Sequence, residues 1–316
     1  MKRVCLDLSE CNGLGDLICA TPAIKVLSNS YGQQITVLSK MPELFKNNPS
    51  VMASYKSSSV DMDYFREHYI MHNSFYNVGK KNERGIEMKH NRMDLRQFHA
   101  VNLGFMLDKT EMECVYLPTE DCKLPIPEKY VLIHPASNWP SRTWSKENWR
   151  LLAYELIDMG FSVVAIGKDS SETGFFNVEK PIYNLDVSKL IDYTNKTSIS
   201  DCWHLISKSI CFITMDSGLL HLAGTTDTHI LMLGSSINPL FRMPYRYGSQ
   251  KYKLLYAAGS CKAMCASDMK YGIEEWGDIQ GVPPLIGCLE KRQNFDCHPS
   301  VADVLSDFQS MIKYGY

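Results

Sequence analysis

The stretch Ile210-Cys211-Phe212-Ile213-Thr214-Met215-Asp216-Ser217-Gly218-Leu219-Leu220-His221 decides how this chain is read. Ile210 to Met215 is a short apolar run of the kind a buried parallel strand shows. Asp216-Ser217-Gly218 interrupts it, and Leu219, Leu220, Leu222 and Ala223 resume it at helical spacing. A strand that turns through Asp-Ser-Gly into a helix leaves backbone N–H groups unpaired at its carboxyl end. Such a turn is an anion site, and ligands of open α/β sheets sit there. Gly218 lets the backbone come close to a phosphate, and Ser217 can cap the helix or offer its hydroxyl. His221, one turn in, is expected to face the same mouth. An ordinary capped strand–helix junction fits these residues equally well, so the rest of the chain must decide.

Its 316 residues suffice for two domains, each with its own core. An apolar content of 45% against 22% charged residues describes a globular protein. Without a run of about 18 apolar residues, stable membrane insertion is not expected. Met1-Lys2-Arg3 leads straight into a strand, which predicts no signal peptide. Eleven cysteines, irregularly spaced, with Cys5, Cys19, Cys202 and Cys211 inside apolar segments, predict a reducing cytoplasm. A net charge of −2 excludes a globally basic nucleic-acid binder but allows a local basic patch.

Upstream, Val4 to Leu8 reads as a first strand running into Gly13-Leu14-Gly15-Asp16, a glycine-rich turn that opens a helix to about Ser30. It lacks the third glycine of a dinucleotide fingerprint. A carboxylate at that place is stabilised by the helix dipole, so Asp16 can act as a base or merely cap its own helix. Gln34 to Ser39 reads as a strand and Leu44 to Val51 as a short helix closed by a proline turn. Between Met71 and His99 the composition turns basic, with Lys80, Lys81, Arg84, Lys89, Arg92 and Arg96 and three histidines facing Glu83, Glu87 and Asp94. That pattern suits a solvated face or a surface for an anionic partner.

Arg96 to Leu107 looks helical, and the proline- and charge-rich Pro118 to Pro127 reads as a linker. It divides residues 1–125 from residues 126–300. Val131 to His134 then starts a second β-loop-α-β series, with a loop through Ser137, Arg142 and Trp144 and a helix from Ser145 to Met159. Strands follow at Ser162 to Ile166, Ile182 to Leu185 and His229 to Leu233, with a helix at Asp201 to Ser207. Cys261, Cys265, Cys288 and Cys297 are enough for a structural zinc, although Cys-x3-Cys is looser than the usual Cys-x2-Cys; free or paired thiols are the other reading. Val301 to Tyr314 is a final amphipathic helix, expected to pack back toward the N-terminal domain.

These motifs, in this order, resemble glycosyltransferase family 9, the heptosyltransferase-like enzymes. Gly13-Leu14-Gly15-Asp16 with Thr21-Pro22-Ala23 is similar to the family's glycine-aspartate motif, and Asn47-Asn48-Pro49 to its next landmark. His134-Pro135-Ala136-Ser137 through Arg142-Thr143-Trp144 resembles its central loop. Lys196-Thr197-Ser198 is similar to its threonine-rich turn, and Asp216-Ser217-Gly218-x-x-His221 to its donor-site signature. The resemblance implies an α/β fold of the GT-B type, two Rossmann-like domains facing a cleft, the C-terminal one holding a UDP- or ADP-sugar. It implies an inverting displacement without a required metal. Asp16 would then be the general base. Arg142, where many members have lysine, would neutralise the diphosphate, since its fork suits two phosphate oxygens. His134, Ser137, Thr197, Asp216, Ser217, Gly218 and His221 would complete the donor site.

The acceptor stays open at this point. A lipopolysaccharide-type glycan fits the family, with Lys80, Lys81 and Arg84 receiving its anionic groups. The Lys-, Asn-, Met- and Tyr-rich wording also resembles proteins of large tailed phages, some of which add arabinose or glucose to 5-hydroxymethylcytosine in DNA. The base would then have to leave the stack. A phage-encoded member would work in the host cytoplasm. A catalytically silent sugar-nucleotide-binding module is the third reading, and retention of Asp16, Arg142 and Asp216 speaks against it.

Overall fold

The structure is a computed structural model, and it describes residues 3–11, 13–71, 93–135, 143–169, 184–234, 238–246, 252–255 and 298–314. The chain divides into two compact units, Met1–Thr119 with Pro244–Ser249, and Glu120–Met243 with Gln250–Tyr316. The division falls before the boundary expected after residue 125, and hydrogen bonds give the reason. Lys123 N–H donates to Asp201 Oδ1 at 2.9 Å and the Tyr193 hydroxyl donates to the Pro125 carbonyl at 2.8 Å, so this stretch is tied into the second unit.

The described part of the first unit holds a parallel sheet of four strands in the order β3-β2-β1-β4. These are β1 (Val4–Asp7), β2 (Ile35–Leu38), β3 (Val51–Tyr55) and β4 (Glu67–Ile70). The inner strands β1 and β2 are almost wholly buried, as parallel strands between helical layers must be, while β4 alternates between half-buried and exposed. Cys5 pairs with Thr36 on one side and His68 on the other.

The single helix expected up to Ser30 is two, α1 (Leu14–Cys19) and α2 (Thr21–Tyr31). Pro22 causes the break, because it has no N–H for the Ile18 carbonyl. The Thr21 hydroxyl donates to that carbonyl instead, at 2.7 Å. The helix expected at Leu44 to Val51 is a short 3-10 turn at Pro42–Phe45 followed by a turn in which the buried Asn48 side chain accepts from Ser50 N–H at 2.9 Å. Val51 then opens β3. A third helix, α3 (Leu95–Asn102), is capped by Asp94 and stops short of Leu107 near Gly104, whose φ of 81° is left-handed.

The described part of the second unit carries a six-stranded parallel sheet in the order β10-β9-β8-β5-β6-β7. Its strands are β5 (Tyr130–Ile133), β6 (Ser162–Ala165), β7 (Ile191–Asp192), β8 (Cys211–Thr214), β9 (His229–Leu233) and β10 (Tyr252–Leu255). Strands β5 to β7 step to one side and β8 to β10 to the other, so the order reverses between β5 and β8, as in a doubly wound Rossmann sheet. The expected strand at Ile182 to Leu185 lies partly outside the described residues, and the edge strand is the two-residue β7.

Helices α4 (Lys146–Asp158), α5 (Ile199–Lys208), α6 (Gly218–Ala223) and α7 (Val301–Tyr314) belong to this unit. Ser145 caps α4, and Gly160, with φ of 89°, follows its end. Trp144 and Trp149 meet edge to face at 4.9 Å in the core. Val304, Phe308 and Met311 form one buried stripe of α7 in that same core. Among the described residues no helix is long and apolar enough to cross a membrane.

Candidate functional site

In the second unit the deciding stretch folds as β8, a turn and α6. The turn lies where the strand order reverses, which in open α/β sheets is where ligands bind. His134 follows β5, the neighbouring strand, and its N–H continues the ladder to the Ile213 carbonyl at 3.2 Å. The His134 imidazole Nδ1 lies 3.2 Å from Ser217 Oγ and 3.4 Å from Thr214 Oγ1, and the two hydroxyls are 3.3 Å apart. Burial pushes the His134 pKa down to about 4, so the ring is neutral near pH 7 and offers one donor and one acceptor.

Ser217 takes the N-cap place of α6 with extended backbone, yet its side chain makes no capping bond; the hydroxyl is engaged with His134 and Thr214. The capping role open to it in the sequence is not the one the structure shows. Asp216 is buried, and its Oδ2 lies 3.9 Å from Arg242 Nε, a guanidinium that is itself buried and donates to the Phe241 carbonyl at 3.0 Å. A lone carboxylate in such a place would be costly, and this cation offsets it. His221 is buried on α6, and Gly218 is its first residue.

Thr197 belongs to a different turn. Its hydroxyl accepts from the Cys202 thiol at 3.2 Å, and the next residue, Ser198, forms a capping box with Asp201 at the start of α5. Ser137 and Arg142 lie outside the described residues. Two residues after Arg142, the Trp144 indole N–H donates to the Pro299 carbonyl at 2.9 Å from within the core.

In the first unit Gly13 is the N-cap of α1 and Asp16 stands in its first turn, where the helix dipole favours a negative charge. A Cβ on Gly13 would lie 2.9 Å from Asp16 Oδ2, so the carboxylate occupies the room that glycine leaves. Gly15 lies inside α1. Asp16 Oδ1 lies 3.9 Å from His99 Nε2 on α3; the histidine side chain is fully buried and the carboxylate is 27% exposed.

This corrects the solvated-face reading for two residues of the basic stretch. Arg96 and His99 are not parts of a solvated face but are buried on α3. Burial works against the charge of Arg96, and hydrogen bonds from its guanidinium to Asp94 more than restore it. Lys80, Lys81 and Arg84 lie outside the described residues, as do Cys261, Cys265, Cys288 and Cys297. Among the described residues no group of three or more His, Cys, Asp or Glu side chains could hold a metal ion.

Sequence reasoning missed Thr214, Arg242 and His99. Thr214 could have been found as the one hydroxyl ending an otherwise apolar strand. Arg242 and His99 gave no signal, because their partners are distant in sequence.

Residues 81–268 match the sequence profile of glycosyltransferase family 9 (heptosyltransferase). A lipooligosaccharide heptosyltransferase 2 of Haemophilus influenzae is 24% identical over 110 residues, covering 35% of this chain and 30% of that relative, so the match takes in about a third of its length. The iron-containing dodecameric glycosyltransferase TibC of enterotoxigenic E. coli superposes with a TM-score of 0.72 at 14% identity, over 100% of this chain and 77% of that one. An E. coli ADP-heptose lipopolysaccharide heptosyltransferase II gives 0.63 at 15% identity, over 99% of each chain. The likeness to these solved structures shows the GT-B-type fold of two Rossmann-like domains, and the family match covers more than half of the sequence. The chain belongs to glycosyltransferase family 9, the heptosyltransferase family.

Proposed function

We propose that this chain is an inverting, metal-independent glycosyltransferase that moves a sugar from a nucleotide-diphosphate donor to a hydroxyl of a lipopolysaccharide-type glycan. The observation that carries the reading is the cluster of His134, Thr214 and Ser217 at the strand-order reversal of a family 9 chain. The donor is an ADP- or UDP-sugar. A heptosyl donor is favoured, since the E. coli neighbour is named for ADP-heptose.

In this reading Asp16 takes the proton of the acceptor hydroxyl as that oxygen attacks the anomeric carbon from the face opposite the diphosphate. One carbon–oxygen bond forms while the bond to the phosphate oxygen breaks, and the configuration inverts. The charge left on the diphosphate is met by Arg142, by the amides of Ser217 and Gly218, and by the Ser137 hydroxyl. Asp216 and His221 support this turn from within, and Thr197 borders the nucleotide. Lys80, Lys81 and Arg84 receive anionic groups of the acceptor. Cys261, Cys265, Cys288 and Cys297 remain a candidate structural zinc site, to be checked by metal analysis of the purified chain.

The test is incubation of the full chain with ADP- and UDP-sugars, with a lipopolysaccharide core acceptor in one arm and hydroxymethylated DNA in the other. The expected result is a sugar added to the glycan only, at an unchanged rate in EDTA, with an inverted anomeric signal by NMR. Addition to the DNA alone would replace the acceptor. Donor binding without turnover in any arm would leave a silent binding module. Arg142→Ala should weaken ADP-sugar binding by about 1.5–3 kcal/mol, the range for a hydrogen bond to a charged group. Unchanged affinity by calorimetry would put the phosphates elsewhere.

A further inference from the structure

The Asp16 carboxylate is flanked on two sides by residues outside the proposed catalytic set. On one side His99 Nε2 lies 3.9 Å from Oδ1. That imidazole cannot swing away, because it is fully buried on α3 and packed edge to face on Phe98 at 5.6 Å. Phe98 in turn sits in a small core with Cys19 at the end of α1. On the other side Oδ2 rests over the bare Cα of Gly13, at a spot where any Cβ would come within 2.9 Å. The φ of Gly13 is −89°, which other residues adopt freely, so its backbone conformation does not require glycine, and a Cβ there would instead displace the Asp16 carboxylate.

We propose that His99 and Gly13 are positioning residues for Asp16: the buried imidazole steadies Oδ1 while the missing side chain leaves Oδ2 its place. This deepens the general-base reading of Asp16 and rests on it. A base must meet the acceptor hydroxyl within hydrogen-bond reach and at a productive angle. A carboxylate on a short helix, partly open to solvent, would otherwise sample several rotamers. Cys11 is another ionisable group close to it, with a thiol pKa raised by burial first and by Asp16 next.

The experiment is steady-state transfer by the full chain carrying His99→Phe, His99→Gln or Gly13→Ala, each also combined with Asp16→Asn. His99→Phe should lower kcat by about 10²-fold, the scale of a misplaced reacting group, with both Michaelis constants nearly unchanged. His99→Gln keeps an N–H at similar reach and should recover most of that loss. Gly13→Ala should lower kcat in the same way. In the Asp16→Asn background none of the three should matter further, because the group they hold is gone.

Parental kcat in His99→Phe, beside an inactive Asp16→Asn, would overturn the positioning role and leave the base reading standing. Full activity of Asp16→Asn would overturn the base reading itself. Should His99→Phe not fold, His99→Asn decides: its amide is too short to reach Asp16, and parental kcat there would overturn the role of His99.

Discussion

At the scale of single residues, His134 is a buried polar group whose protonation opposes folding. Its pKa is depressed by burial to about 4 in the folded chain, against about 6.5 in an unfolded one. Between those values the unfolded state holds the extra proton, so stability falls as pH drops through that window and levels off below it. The slope from this one residue reaches at most about 1.4 kcal/mol per pH unit. Urea unfolding of the parent and of His134→Asn at pH 7, 5.5 and 4.5 should show the variant losing less stability on acidification. Equal losses would mean that His134 is protonated in the folded state. Asp216 is a buried carboxylate with the Arg242 guanidinium beside it at 3.9 Å. Arg242→Met would take the guanidinium from beside a buried carboxylate, and it should destabilise by about 3–5 kcal/mol, more than Asp216→Asn does. The reverse order would show that the pair contributes little.

At the scale of elements, the sequence showed most plainly what burial makes uniform. Strands β5, β8 and β9, and helices α4 and α7, were legible because an apolar run or a single stripe marked each of them. β3 and β4 went unread, because Val51–Tyr55 and Glu67–Ile70 are partly exposed, and Glu67 and His68 dilute the strand pattern. The break between α1 and α2 hung on one proline whose missing N–H is replaced by the Thr21 hydroxyl. In the candidate site, the Asp-Ser-Gly turn and the Gly-Asp turn were legible from local chemistry. The partners Thr214, Arg242 and His99 were not, since a side chain brought close by sheet order or helix packing leaves no mark in local spacing. Capping was not legible at Ser198, and it can be measured. Ser198→Ala removes the capping box of α5 and should cost about 1 kcal/mol in urea unfolding; no change would mean that α5 is held by its packing alone.

At the scale of the whole molecule, each unit is a parallel sheet with a glycine-bearing turn at a strand's carboxyl end, one carrying Asp16 and the other carrying Ser217 and Gly218. Sugar transfer is the activity proposed for this family 9 chain, and experiment chooses its acceptor. Changing Lys80, Lys81 and Arg84 together to alanine should raise the Michaelis constant for the glycan but not for the donor. If the acceptor were duplex DNA, losing three phosphate contacts would flatten the salt dependence by about 0.9 per contact in log–log slope. A triple variant with parental constants would remove this segment from acceptor binding. The central claim is that Asp16 deprotonates the acceptor of a nucleotide-sugar donor. Its most direct test is transfer from ADP-heptose to a lipopolysaccharide core acceptor, followed by mass spectrometry, for the parent and Asp16→Asn side by side, with ADP affinity measured on both. The account predicts product from the parent, a loss of about 10²- to 10⁴-fold in the variant, and equal ADP affinity. Transfer by Asp16→Asn at the parental rate would contradict it.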